Sequence, residues 1–87
     1  MKVSLWYNNR DIRVQDAPVP EPGPGEVLLK VMACGICGSD LVEWYRLPRA
    51  PLVQGHEIGA CVEKVGAGVR DFKPGDRVMA APKVSCL

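Results

Sequence analysis

The chain holds a single histidine, a single phenylalanine and no apolar run near the ~20 residues that a membrane-spanning helix needs. Each scarcity excludes something. With a formal net charge of +1 and its lysines and arginines scattered, the chain offers no basic face for nucleic acid and no acidic tail. Met1-Lys2-Val3 leads straight into a strand-like segment with no secretory apolar region, so neither a nucleic-acid partner nor a membrane is expected. The expected location is the cytoplasm, where Cys34, Cys37, Cys61 and Cys86 act as thiols or metal ligands rather than in disulfides. Internal repeats are lacking too. At 87 residues the chain is one domain or a piece of one, with a thin core.

What is present is a succession of short strand-like segments. Val3 to Tyr7 and Asp11 to Gln15 flank Asn8-Asn9, a turn signal, and read as a β-hairpin. From Pro18 to Gly25 every second residue or so is proline or glycine, which keeps the segment out of a sheet interior and extended over the surface. Glu26 to Ala33 is a further strand, with Val27, Leu29 and Val31 on one face and Leu28, Lys30 and Met32 on the other. Ser39-Asp40 is a capping signal for a short helix from Leu41 to Leu47, stopped by Pro48. Ile58 to Val65 and Arg77 to Ala81 complete the strands. With no βαβ rhythm, the expected fold is mainly β: a barrel or sandwich with one short helix.

Two clusters carry the chemistry. Cys34-Gly35-Ile36-Cys37-Gly38-Ser39-Asp40 is the first, and Gly55-His56-Glu57 is the second. Thiolate, imidazole and carboxylate are donors that Zn²⁺ accepts, and one of each leaves a fourth position open to polarise an oxygen. Consecutive strand residues face opposite ways, so His56 and Glu57 can both reach one metal only where the backbone is irregular. Gly55 permits such a bend. A Cys-x-x-Cys pair also opens thiol redox elements and rubredoxin-like sites, but this one lacks a thioredoxin-type βαβ setting and a second pair. Cys34 and Cys61 read as small core residues.

These clusters, followed by Val65-Gly66-Ala67-Gly68-Val69 and Pro74-Gly75-Asp76-Arg77-Val78, resemble the N-terminal GroES-like portion of zinc-containing medium-chain alcohol and polyol dehydrogenases. Leu5-Trp6-Tyr7 and Asp11-Ile12-Arg13-Val14 fit the sorbitol and butanediol dehydrogenase branches. The resemblance runs over essentially the whole chain. It implies a GroES-like partial barrel spanning residues 1–87 as part of a catalytic domain. In it Cys37 and His56 match catalytic-zinc ligands. Glu57 matches an acid that ligates zinc in some polyol-type members and sits near it in others. Asp40 matches the residue that orients the zinc-bound histidine, and Ser39 the hydroxyl that passes the substrate proton outward.

The implied activity is oxidation of a secondary alcohol or polyol with zinc and NAD(P). Some features depart from the pattern. Val42 stands where many members carry a relay histidine, and the usual glycine after the Glu-x pair is displaced to Gly59-Ala60. Cys86 matches the first of four structural-zinc cysteines, without the other three. Gly66-Ala67-Gly68 makes no dinucleotide fingerprint, because Asp71 occupies the third glycine's place. No cofactor-binding residues are therefore assigned, and the nucleotide-binding domain is expected to be absent. Alone, the chain is expected to be inactive and to self-associate through exposed apolar surface. The alternative is a zinc-binding GroES-like module without catalysis.

Overall fold

The computed structural model describes residues 1–81. Six strands account for most of the regular structure: β1 (Lys2–Asn8), β2 (Asp11–Asp16), β3 (Val27–Gly35), β4 (Leu52–Val53), β5 (Glu57–Val65) and β6 (Arg77–Ala80). One short helix, α1 (Glu43–Arg46), lies between two 3₁₀ turns, Gly38–Leu41 and Leu47–Arg49. The mainly β reading with a short helix holds. No helix among the described residues is long and apolar enough to cross a membrane. Cys86 lies outside the described residues.

The chain forms two compact units. One comprises Met1–Val19 and Ile36–Gly55 and is built on the antiparallel sheet β2-β1-β4. The expected hairpin is there, with an irregularity between Trp6 and Asn8 that tightens the turn. Trp6 is almost wholly buried, at 2% exposure, and its Nε1 donates to Asn9 Oδ1 at 3.3 Å. Asn9 in turn ties the hairpin to the helical segment: its backbone N–H donates to Glu43 Oε2 at 2.9 Å and its Nδ2 to Leu41 O at 3.1 Å. The two-residue strand β4 had no signal of its own in the sequence, being too short to show alternation.

The helix differs from the expected span of Leu41 to Leu47. Val42 takes φ −81° and ψ 82°, outside the helical region, and divides a 3₁₀ turn from a single α turn. Pro48 does not end the segment. It sits in the first turn of Leu47–Arg49, where a missing N–H costs nothing. Asp40 does cap, but one turn earlier than expected, by accepting the Cys37 N–H at 2.9 Å.

The other unit comprises Pro20–Gly35 and the chain from His56 on, and is built on the antiparallel sheet β3-β5-β6. Its central strand buries Ala60 and Val62, two residues apart on one face. Strand β3 does not keep the expected alternation. Bulges between Leu28 and Leu29 and between Val31 and Ala33 break its register against β5, and Val31 and Met32 are both exposed. The turn after β5 packs tightly on the proline-rich segment: Gly66 N–H donates to Glu26 O at 2.7 Å, and Gly25 N–H to Ala67 O at 2.9 Å. A side chain at Gly66 would overlap the Gly23 and Glu26 carbonyls. Lys64 pairs with Glu21 of the proline segment at 3.0 Å on the surface, and that segment ends in a turn at Pro24-Gly25, with Gly25 at φ 75°.

Candidate metal centre

The sheet register sets the site. Gly35, the last residue of β3, lies opposite Glu57, the first residue of β5. Because Gly35 has no side chain, the Glu57 carboxylate can lie over the end of the strand: a Cβ at Gly35 would come within 2.6 Å of Glu57 Oε2. His56 precedes β5 and is free of the strand's strict alternation. Gly55 before it has φ 127°, a conformation that side-chain-bearing residues rarely adopt. The condition set by the sequence, an irregular backbone next to Gly55, is met.

Cys37 follows Gly35 by two residues, so chain connectivity alone keeps their Cα atoms within about 7.6 Å. Cys37 Sγ, a ring nitrogen of His56 and a carboxylate oxygen of Glu57 lie within 4.8 Å of one another. Cys37 and His56 are half-buried and Glu57 is exposed. Donors around a tetrahedral zinc stand about 3.5 Å apart, so adjustments of the order of an ångström would bring this group to ligand spacing. A soft thiolate, an imidazole and a hard carboxylate are together a donor set suited to zinc.

Asp40 is buried, at 8% exposure, and its hydrogen bonds explain how a carboxylate is tolerated there. Oδ2 accepts the Cys37 N–H, Oδ1 lies 3.2 Å from Arg46 Nη2, and the backbone carbonyl accepts from Gln54 Nε2 at 3.2 Å. Ser39 is exposed, and its Oγ lies 3.5 Å from Arg46 Nη2. Arg46 and Gln54 are the residues that reading the sequence missed. Neither stands at a helical spacing from Asp40, so only the folded turn discloses them.

Two cysteine expectations need revision. Cys34 is exposed rather than part of a core, and its thiol donates to Gly35 O at 3.6 Å. Cys61 is half-buried. Cys34, Cys37 and Cys61 are all free thiols.

Residues 23–87 match the alcohol dehydrogenase GroES-like domain. The chain belongs to that family. Sorbitol dehydrogenase of Gallus gallus is 49% identical over 80 aligned residues, covering 85% of this chain and 22% of the relative. The (R,R)-butanediol dehydrogenase of Bacillus subtilis is 41% identical, covering 94% of this chain and 28% of the relative. Among solved structures, the Bacillus subtilis 2R,3R-butanediol dehydrogenase has a TM-score of 0.76 at 40% identity, covering 90% of this chain and 26% of that one. A zinc-binding dehydrogenase of Sinorhizobium meliloti 1021, solved with NADP bound, has a TM-score of 0.80 at 38% identity, covering 98% of this chain and 25% of that one. The chain thus spans about a quarter of the length of the relatives it matches. Its described strands and short helix form part of a GroES-like domain, and the resemblance to the sorbitol and butanediol dehydrogenase branches is confirmed.

Proposed function

We propose that these residues supply part of the active site of a zinc-dependent NAD(P) oxidoreductase acting on secondary alcohols or polyols. The observation that carries this reading is the Cys37, His56 and Glu57 donor group within a GroES-like domain. Cys37 and His56 are assigned as zinc ligands. Glu57, the most exposed of the three, is assigned as the third donor.

Zinc bound there would act as a Lewis acid on an alcohol oxygen while hydride passes to a nicotinamide. The rest falls to the chain's own side chains. Asp40 is assigned to orient the His56 imidazole and fix its tautomer, and its burial with two charge-assisted partners keeps it fixed in direction. Ser39, exposed at the same turn, is assigned to pass the substrate proton outward. Val42 cannot serve as the next relay group, so the proton goes from Ser39 to solvent. The 87 residues carry no dinucleotide site of their own in this reading: Gly66-Ala67-Gly68 forms a turn between strands, with no helix after it among the described residues.

Cobalt(II) titration tests the assignment. Uptake is expected to give a near-ultraviolet thiolate-to-metal band and the visible bands of a four-coordinate ion. A purely octahedral, oxygen-only spectrum would overturn it. Mixed with NAD⁺ and sorbitol or butanediol, the 87-residue chain alone is expected to show no turnover, and a dehydrogenase-like rate would refute that part. Trp44, Ile36, Val14 and Met79 each expose most of their apolar surface, so we also propose that the isolated chain self-associates. A single monomeric species in sedimentation at high concentration would contradict this.

A further inference from the structure

Asp40 is the buried charged side chain among the described residues, and a buried carboxylate persists as such only when its charge and lone pairs are matched. Arg46 provides the match. Its side chain is 16% exposed, and Nη2 lies 3.2 Å from Asp40 Oδ1. The same guanidinium donates through Nε to Ser39 O at 3.0 Å and reaches Ser39 Oγ at 3.5 Å. The other Asp40 oxygen takes the Cys37 N–H at 2.9 Å, and Asp40 N–H donates back to Cys37 O at 2.9 Å. The Asp40 carboxylate therefore links the Arg46 guanidinium to the Cys37 N–H, while the Asp40 backbone N–H closes the same turn on Cys37 O.

We infer that Arg46 is a positioning residue for the metal centre, holding the turn Cys37–Asp40 in the shape that presents the Cys37 thiolate. The inference rests on the reading of Cys37 as a zinc ligand. Its physical basis is the fork of the guanidinium. One planar group satisfies the Asp40 carboxylate and the Ser39 carbonyl at once. An ammonium at the same place is a point charge on a flexible stem and cannot fix both partners in direction. Without the fork, the Asp40 carboxylate is no longer held in direction and its bond to the Cys37 N–H loosens, so the thiolate must be ordered at the moment a metal binds. That ordering weakens binding even when every ligand is still present.

The prediction concerns metal affinity and needs no turnover. Cobalt(II) is titrated into the unsubstituted chain, Arg46→Lys and Arg46→Ala, with the near-ultraviolet thiolate band as the signal. Amide hydrogen exchange along β5 reports in parallel whether each variant is folded. Arg46→Lys is expected to keep β5 protection at the unsubstituted level, to lose protection at the Cys37 and Asp40 amides, and to bind cobalt about tenfold more weakly. Arg46→Ala is expected to lose up to about 100-fold, the span seen when outer partners of metal ligands are removed. Should Arg46→Ala fail to fold, Arg46→Lys decides the matter.

Unchanged affinity in a folded Arg46→Lys, with the Cys37 and Asp40 amides still protected, overturns the role of Arg46 and leaves the metal site standing. Absence of any thiolate band in the unsubstituted chain overturns the metal reading itself, and the inference with it.

Discussion

A chain carrying Cys37→Ser together with His56→Ala is expected to bind zinc at least about 100-fold more weakly than the unsubstituted chain. The floor comes from comparison: loss of a partner that merely orients a ligand already costs 10–100-fold, and here two donors are removed outright. The thiolate is the largest share of the loss, because serine offers a neutral hydroxyl where zinc favours a charged sulfur. Glu57→Gln should cost less, since the carboxylate is exposed and water can take its place. Competition against a chromophoric chelator at neutral pH measures all three. The thiol must shed its proton to bind, so the affinity of the unsubstituted chain should also fall as the solution is acidified. Equal affinity in the double variant would assign any bound zinc to other donors.

Trp6→Ala is expected to lower folding stability by about 3–5 kcal/mol, the range for deleting a large buried aromatic side chain. A chain of this size has a total of roughly 4–13 kcal/mol to lose, from about 0.05–0.15 kcal/mol per residue. The effect should fall toward the upper end. Trp6 is the largest fully buried side chain, and its indole N–H is bonded to Asn9, which also anchors the helical segment through Glu43 and Leu41. Removing the ring leaves a cavity and a hairpin turn without its inner contact. Urea denaturation followed by circular dichroism should show the midpoint collapse or the transition lose its cooperativity. A change below about 1 kcal/mol would mean that the ring fills no tightly packed space.

Much of this architecture was legible before any coordinates. The hairpin around Asn8-Asn9, the strand ending at Val65, the last strand (expected to run to Ala81, observed to Ala80) and the bend at Gly55 follow from turn chemistry and β-branched runs, which act locally. The failures share a different cause. The bulges of β3 depend on how two strands accommodate each other, and nothing within residues 27–35 announces them. The break at Val42 arises where a turn is pulled into shape by Asp40 and Arg46, which overrides the modest helical preference of the segment. Cys34 illustrates the same point: it is exposed on β3 despite a cysteine's habit of burial. The candidate donors Cys37, His56 and Glu57 stand out in the sequence because their chemistry and order are distinctive. Their supports were not, because hydrogen bonds across a folded turn leave no periodicity.

Gly35 and Gly55 mark where the chain leaves one sheet and returns to it, and the donor residues Cys37 and His56 stand just past these two points. A metal held by both would close the intervening segment into a ring. In chain-entropy terms such a cross-link is comparable to a disulfide over a similar loop, worth roughly 3 kcal/mol by restricting the unfolded ensemble. An ion bound there would then also be a fastener. Stripping such an ion would then be felt as susceptibility of residues 36–55 to proteases.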